Sequence, residues 1–392
     1  MKKVLFFLVA AAMVMTACNK TVTVDVNNGD AINFRPLKTN MTRAADAGFG
    51  TGASFKVTAF TAGATSDAYF TNVVFTESAG TFSSAYKYYW PAEDGKLDFY
   101  AWAPSSYDAG SGAYTSFAIT PGTTIGSQPD FVYAVTKGWG KETRSGKNGV
   151  AINFRHAESK IAIKLANSNP NLKITVGNVS IGNLRGTETF SWNGVTNGTT
   201  TTAAADADTD GQYTTGTLTY LNGTWTASSA QSSVYTVAME SGASYNVFDG
   251  TVAAKNLYSS LAASDYEMIL IPQVLNAQTT YSATTEGASF AGAFIKVQIK
   301  IQNTANDAYI VGASSGVNEF VTAMWPLTEL TWLPGHKYTY TVDLAGGGYF
   351  ETNNNDGDNA LDPILEGAEI KFATVTVDAW ADVAGSVYVT GL

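Results

Sequence analysis

Between Phe294 and Ile301 the chain reads Ile295, Val297, Ile299 and Ile301 on one side and Lys296, Gln298 and Lys300 on the other. Successive side chains of an extended backbone point to opposite faces, so this pattern specifies a strand with one buried face and excludes an amphipathic helix. Much of the sequence is written in shorter runs of this kind, separated by Gly, Asn, Asp, Ser and Pro. Phe55–Phe60, Tyr69–Phe75, Tyr86–Trp90, Leu97–Trp102, Phe131–Val135, Val150–Phe154 and Ile161–Leu165 form a first series. A second comprises Leu172–Val176, Val179–Ile181, Thr217–Tyr220, Met268–Ile271, Phe294–Ile301, Tyr338–Leu344 and Ile370–Val377. Helical periodicity is found in no stretch of comparable length. The 392 residues exceed what one core of ~250 residues accommodates. The polar, proline-bearing stretch Ala166–Asn171 places the division, giving an all-β chain of two tandem sandwiches over residues 44–168 and 169–392.

Charged residues are only 14% of the chain, against about a quarter in ordinary domains, so Thr, Ser, Asn and Gly must cover the surface, as in exported β-proteins. The net charge of −10 argues against nucleic-acid binding. One cysteine and two histidines allow neither a disulfide framework nor a Cys/His metal site. His156 and His336 stand in no nucleophile or base motif, and His156 reads as a packed structural residue, so neither an enzyme nor a cofactor is expected. Asp206, Asp208 and Asp210 precede Gly211 with the spacing of a calcium loop, but Thr217 occupies the position that needs a bidentate carboxylate; a solvated acidic loop is expected and no metal. The segments 196–217 and 346–362 are too poor in apolar residues to build core and are read as loops. Trp90 and Trp102 read as core, whereas Trp139, between Gly138 and Gly140, is expected to be exposed.

The N-terminus carries Lys2 and Lys3, an apolar run from Val4 to Val14, and Met15-Thr16-Ala17 directly before Cys18. A run this short cannot span a bilayer, which takes about 20 residues, so residues 1–17 read as an export signal. The lone Cys18, placed where a lipobox ends, is the expected lipidation site; its acyl chains would anchor the protein. Val22, Val24 and Val26 alternate strictly, and Ile32 and Phe34 repeat the pattern within Ala31–Arg35, a pentapeptide that recurs as Ala151–Arg155. Arg43, followed by Ala44 in a polar segment, suits an Arg-specific protease that needs an extended, accessible peptide. Strand, strand and then an exposed loop is the natural reading of this region.

In order and spacing, several motifs together resemble the fimbrillins, the pilin subunits of the type V pili of Bacteroides-type bacteria. They are Met15–Cys18, Thr42-Arg43-Ala44, Tyr88–Pro91, Leu97–Pro104, Asp130–Ala134, Val150–Lys164, Leu333–Tyr340 and Val377–Trp380. The resemblance implies transthyretin-like, Greek-key sandwiches and a lipoprotein precursor displayed on the outer membrane. It implies that residues 18–43 are a propeptide with an exchangeable strand, and that an extracellular Arg-specific protease cuts after Arg43, releasing lipid and N-terminal strand so that Ala44 becomes the new N-terminus. The opened groove would then accept the C-terminal strand of a neighbouring subunit, building a fimbrium of like and accessory pilins that supports adhesion. Here the donor would lie in residues 386–392, where Val387 and Val389 alternate with Ser386, Tyr388 and Thr390. Loss of residues 1–43 leaves 17 basic against 31 acidic residues, a net charge of −14 that opposes chance aggregation. The competing expectation is a surface glycan-binding lipoprotein that stays uncleaved and monomeric and stacks sugars on exposed aromatics.

Overall fold

The computed structural model describes residues 31–36, 52–64, 66–79, 81–92, 95–107, 116–123, 125, 128–141, 149–152, 154–191, 219–220, 223–238, 246–250, 253–257, 267–277, 290–351, 361–371 and 373–379. Among them the regular structure is β-strand apart from a 3-10 turn at Leu344–Gly346, and no helix is long and apolar enough to cross a membrane.

The N-terminal body is built on an eight-stranded sheet. Its order is Val150–Ile152, Phe34–Pro36, Thr81–Ser84, Phe70–Ser78, Ser54–Thr61, Leu97–Ala103, Val132–Trp139 and Arg155–His156. The two outermost strands are near neighbours in sequence, so at that point the sheet curls until its edges lie within about 10 Å of each other. Every residue of Leu97–Ala103 is buried, because both faces of this strand are covered. Leu97, Phe99, Ala101 and Ala103 point into the first core with Phe34, Phe55, Phe75 and Phe82. Tyr100 and Trp102 point the other way, into a second cluster with Phe117, Phe131, Phe190 and Trp225. That second face is covered by a four-stranded sheet of Ser116–Ile119, Glu188–Ser191, Gly223–Thr226 and Thr219–Tyr220. Three of its strands, Ser116–Ile119, Glu188–Ser191 and Gly223–Thr226, are not among the expected runs, and the last two return with Thr219–Tyr220 from beyond residue 169 to pack on the N-terminal body.

The C-terminal core lies between a five-stranded and a seven-stranded sheet. Ser159–Ala166 pairs in parallel with His336–Asp343, Ile161 opposite Tyr338 and Ile163 opposite Tyr340. Ile161, Ile163 and Leu165 are therefore C-terminal core, so the run expected to close the first sandwich belongs to the second. The chain crosses between bodies ahead of Ser159 and is interleaved after it. The runs Leu172–Val176 and Val179–Ile181 are one strand, Leu172–Arg185, with a register shift between Val176 and Val179 that absorbs Gly177 and Asn178 as a bulge. Phe294–Asn303 runs beside it, with Ile295, Val297, Ile299 and Ile301 fully buried as their alternation requires. Within the segment read as loop, Tyr349–Phe350 pairs with Ala323–Met324. The last described strand, Thr374–Ala379, pairs with His336–Asp343 on one side and, among the described residues, lies at the sheet edge.

Candidate functional site

The strand Phe34–Pro36 precedes every other strand of the described structure, yet it lies inside the eight-stranded sheet and not on its rim. On one side Phe34 pairs antiparallel with Phe82. On the other, Phe34, Arg35 and Pro36 run parallel to Val150, Ala151 and Ile152. The recurring pentapeptides thus meet as neighbouring strands, shifted in register. Upstream, Ile32 N–H donates to the Tyr88 carbonyl at 2.7 Å, and Ala31 forms an isolated bridge with Tyr89. The run expected as a strand at Tyr86–Trp90 shows only this bridge, which is made with the N-terminal segment. Val150 N–H donates to the Asn33 carbonyl at 2.8 Å. Gly149, at φ +87, gives the strand room, because a Cβ there would stand 2.8 Å from the Asn33 oxygen.

The side chains explain why the strand sits so deep. Ile32 and Phe34 are fully buried. The Phe34 ring meets Phe75, Phe99 and Phe55 at centroid distances of 4.7, 5.1 and 5.8 Å, each nearly perpendicular, the arrangement favoured by aromatic quadrupoles. Phe55 in turn packs on Phe82 at 4.8 Å and on Phe154 at 5.1 Å, so the walls of this pocket are themselves held. The pocket walls are hydrocarbon, and their register is set by backbone bonds from both flanking strands. Such an element holds its strand through backbone bonds on both sides and apolar contacts below.

Cys18, Val22, Val24, Val26, Arg43, Ala44, Asp206, Asp208, Asp210, Val387 and Val389 lie outside the described residues. Among the described residues the C-terminal strand is an edge strand. Along Thr374–Ala379 Val375 is half-buried, while Val377 is 48% exposed although it pairs with the buried Tyr338.

Trp139 is buried against the first core, correcting the expectation that it is exposed. Gly138 has φ +67 and its N–H donates to Asp98 at 2.7 Å, and the register shifts between Leu97 and Phe99. This bulge turns Trp139 inward opposite Leu97, which a glycine on either side in sequence does not reveal. Trp90 and Trp102 are core, as read. Trp139 therefore presents no exposed ring on which a sugar could stack. His156 is buried with Nδ1 2.7 Å from Asp130, while Phe131 N–H donates to the neighbouring Glu158 carboxylate. Burial, then the Glu158 and Asp130 charges, push the Tyr107 hydroxyl far up. These groups form a closed polar joint near the crossover between bodies. Among the described residues no cluster of His, Cys, Asp and Glu could hold a metal ion.

The sequence matches the fimbrillin-like family over residues 42–360. No curated protein matches it. Among solved structures it is similar to a fimbrial protein from Bacteroides vulgatus, at 15% identity and a TM-score of 0.51 over 90% of this chain and 100% of that one. It is also similar to a candidate cell adhesion protein from Bacteroides ovatus, at 15% identity and 0.47 over 90% and 98%. A third is the tip fimbrial protein Mfa3 from Porphyromonas gingivalis, at 8% identity and 0.35 over 90% and 100%.

Proposed function

The chain belongs to the fimbrillin-like family, and from this premise we propose that it is a structural pilus subunit of a cell-surface appendage. It is exported by residues 1–17, lipidated at Cys18 and carried to the outer membrane. An Arg-specific extracellular protease cuts between Arg43 and Ala44, and polymerisation follows by exchange of one β-strand for another.

One observation carries this reading: the strand at Phe34, upstream of the proposed cut, is an inner member of its sheet. A strand at the rim could leave with little consequence. Withdrawal of this one unpairs both Thr81–Ser84 and Val150–Ile152 and empties a phenyl-sized pocket between them. Its hold combines ladder bonds at roughly 0.5–1.5 kcal/mol each with burial of Ile32 and Phe34 at about 1.5–3 kcal/mol each. Cutting the chain therefore does not by itself eject the strand. It removes the covalent tether, so that a second strand making equivalent bonds can take the place by exchange. The donor belongs to the C-terminal segment of a neighbouring subunit, and the exposed edge at Thr374–Ala379 supports a chain end that peels at small cost.

The test is Arg43→Ala. The variant should fold, stay lipid-anchored and remain monomeric; polymers of normal length from it would refute proteolytic activation. A glycan-binding lipoprotein would keep its N-terminal strand and remain monomeric in the unaltered protein too.

A further inference from the structure

Resting on strand exchange at the Phe34 position, we infer that the slot selects its incoming strand by a phenyl-sized ring two residues from an aliphatic side chain. Residues 386–392, the expected donor segment, lack that pattern, so the favoured donor is a strand of a different subunit that presents aliphatic-x-aromatic spacing.

The selection follows from a pocket that is both full and stiff. Three rings enclose Phe34 edge-on, and Phe55 is braced from behind by Phe82 and Phe154. A wall supported in this way does not collapse onto a smaller occupant, so a missing ring leaves a cavity whose cost grows with its volume. Register leaves little freedom. Bonds to the Tyr88 carbonyl and from Val150 N–H fix the positions of residues 32 to 34, and Gly149 closes tightly over Asn33. An incoming strand must therefore place one side chain where Ile32 lies and another, two residues on, where Phe34 lies.

Residues 385–392 read Gly-Ser-Val-Tyr-Val-Thr-Gly-Leu. With Val387 and Val389 inward, a valine fills the phenyl pocket whichever way the strand runs, because Val-Tyr-Val reads the same in both directions. A slip of one residue turns Tyr388 inward, but it also flips its neighbours, sending Ser386 and Thr390 toward the core. The tyrosine hydroxyl would then enter a pocket walled by phenylalanine, where it finds no partner. Both registers are worse than the resident Ile-Asn-Phe.

The experiment uses the full chain with a unique protease sequence in place of residues 38–43, folded first and then cut. Fluorescent peptides are offered: residues 29–36, the same peptide with Phe34→Val, and residues 385–392. Entry is followed by anisotropy and by competition with the unlabelled 29–36 peptide. The Phe34→Val peptide and the tail peptide should each bind more weakly than the unaltered one, on the order of 10- to 100-fold. Equal binding of the tail and 29–36 peptides, or no loss on Phe34→Val, would overturn selection while leaving strand exchange intact. If the cut chain admits none of the peptides, exchange itself fails and selection with it.

Discussion

The two ends of the described chain meet their sheets in opposite ways. At the N-terminal end Phe34–Pro36 is paired on both sides and its ring is enclosed by phenylalanines. At the C-terminal end Thr374–Ala379 is paired on one side among the described residues, and Val377 is about half exposed. A strand held on both edges is part of the fold, and its departure must be matched by a replacement. A strand held on one edge, with little buried surface, opens at a fraction of the global cost. Under the proposed strand exchange, the first of these ends is the acceptor and the second leads into the donor.

Mutations at the two ends should therefore differ sharply. Phe34→Ala empties the pocket between Phe55, Phe75 and Phe99 and should destabilise the uncut N-terminal body by about 3–5 kcal/mol in chemical denaturation. A loss below 1 kcal/mol would mean that the strand is not integral. Gly149→Ala should cost the uncut chain about 1–3 kcal/mol, since it adds left-handed strain and a clash with the Asn33 carbonyl. The clash depends on the strand being present, so part of the penalty should vanish once residues up to Arg43 have been removed. An undiminished penalty would place the cost in Gly149 alone.

Acid should weaken both bodies. Burial raises the Glu188 carboxyl, but the hydroxyls and amides of Ser229 and Ser228 outweigh it and hold the group below its ordinary 4.5. At Asp343 burial likewise raises, while Ser168, the Ala345 amide and Lys371 lower it below 3.8. A carboxyl whose folded value lies under its unfolded one stabilises the fold above the unfolded value and ceases to as pH falls through the folded one. Stability should thus decline from about pH 4.5 downward. Glu188→Gln should lower stability at neutral pH by about 1–3 kcal/mol and flatten that decline. An unchanged acid limb would assign it to other groups. The smallest effect is expected at the open end, where Val377→Thr should change stability by no more than about 0.5 kcal/mol. A loss above 1.5 kcal/mol would show that the last strand belongs firmly to its own sheet.

What the sequence makes legible follows from how local each cause is. Alternation in Phe294–Ile301 reports one buried face, and the strand is where that pattern places it. The importance of Ile32 and Phe34 is readable too, from a second apolar alternation ahead of Arg43. Trp139 is not, because its direction is decided by a bulge at Gly138 that answers to Asp98 on the neighbouring strand. Ser159–Ala166 is assigned to the wrong body by order alone, since its parallel partner lies at His336–Asp343, far along the chain. The short strands Ser116–Ile119 and Glu188–Ser191 carry too few apolar residues to show a period. The phenyl pocket itself joins four strands, and no window of sequence contains it.

The central claim is that the N-terminal strand is removed and replaced when subunits join. Its most direct measurement is the N-terminal sequence and mass of subunits in polymers sheared from cells, with a search for a retained peptide. The account predicts subunits that begin at Ala44 and polymers free of any fragment ending at Arg43. Polymers whose subunits begin ahead of Arg43, or that carry the 18–43 fragment in stoichiometric amount, would contradict it.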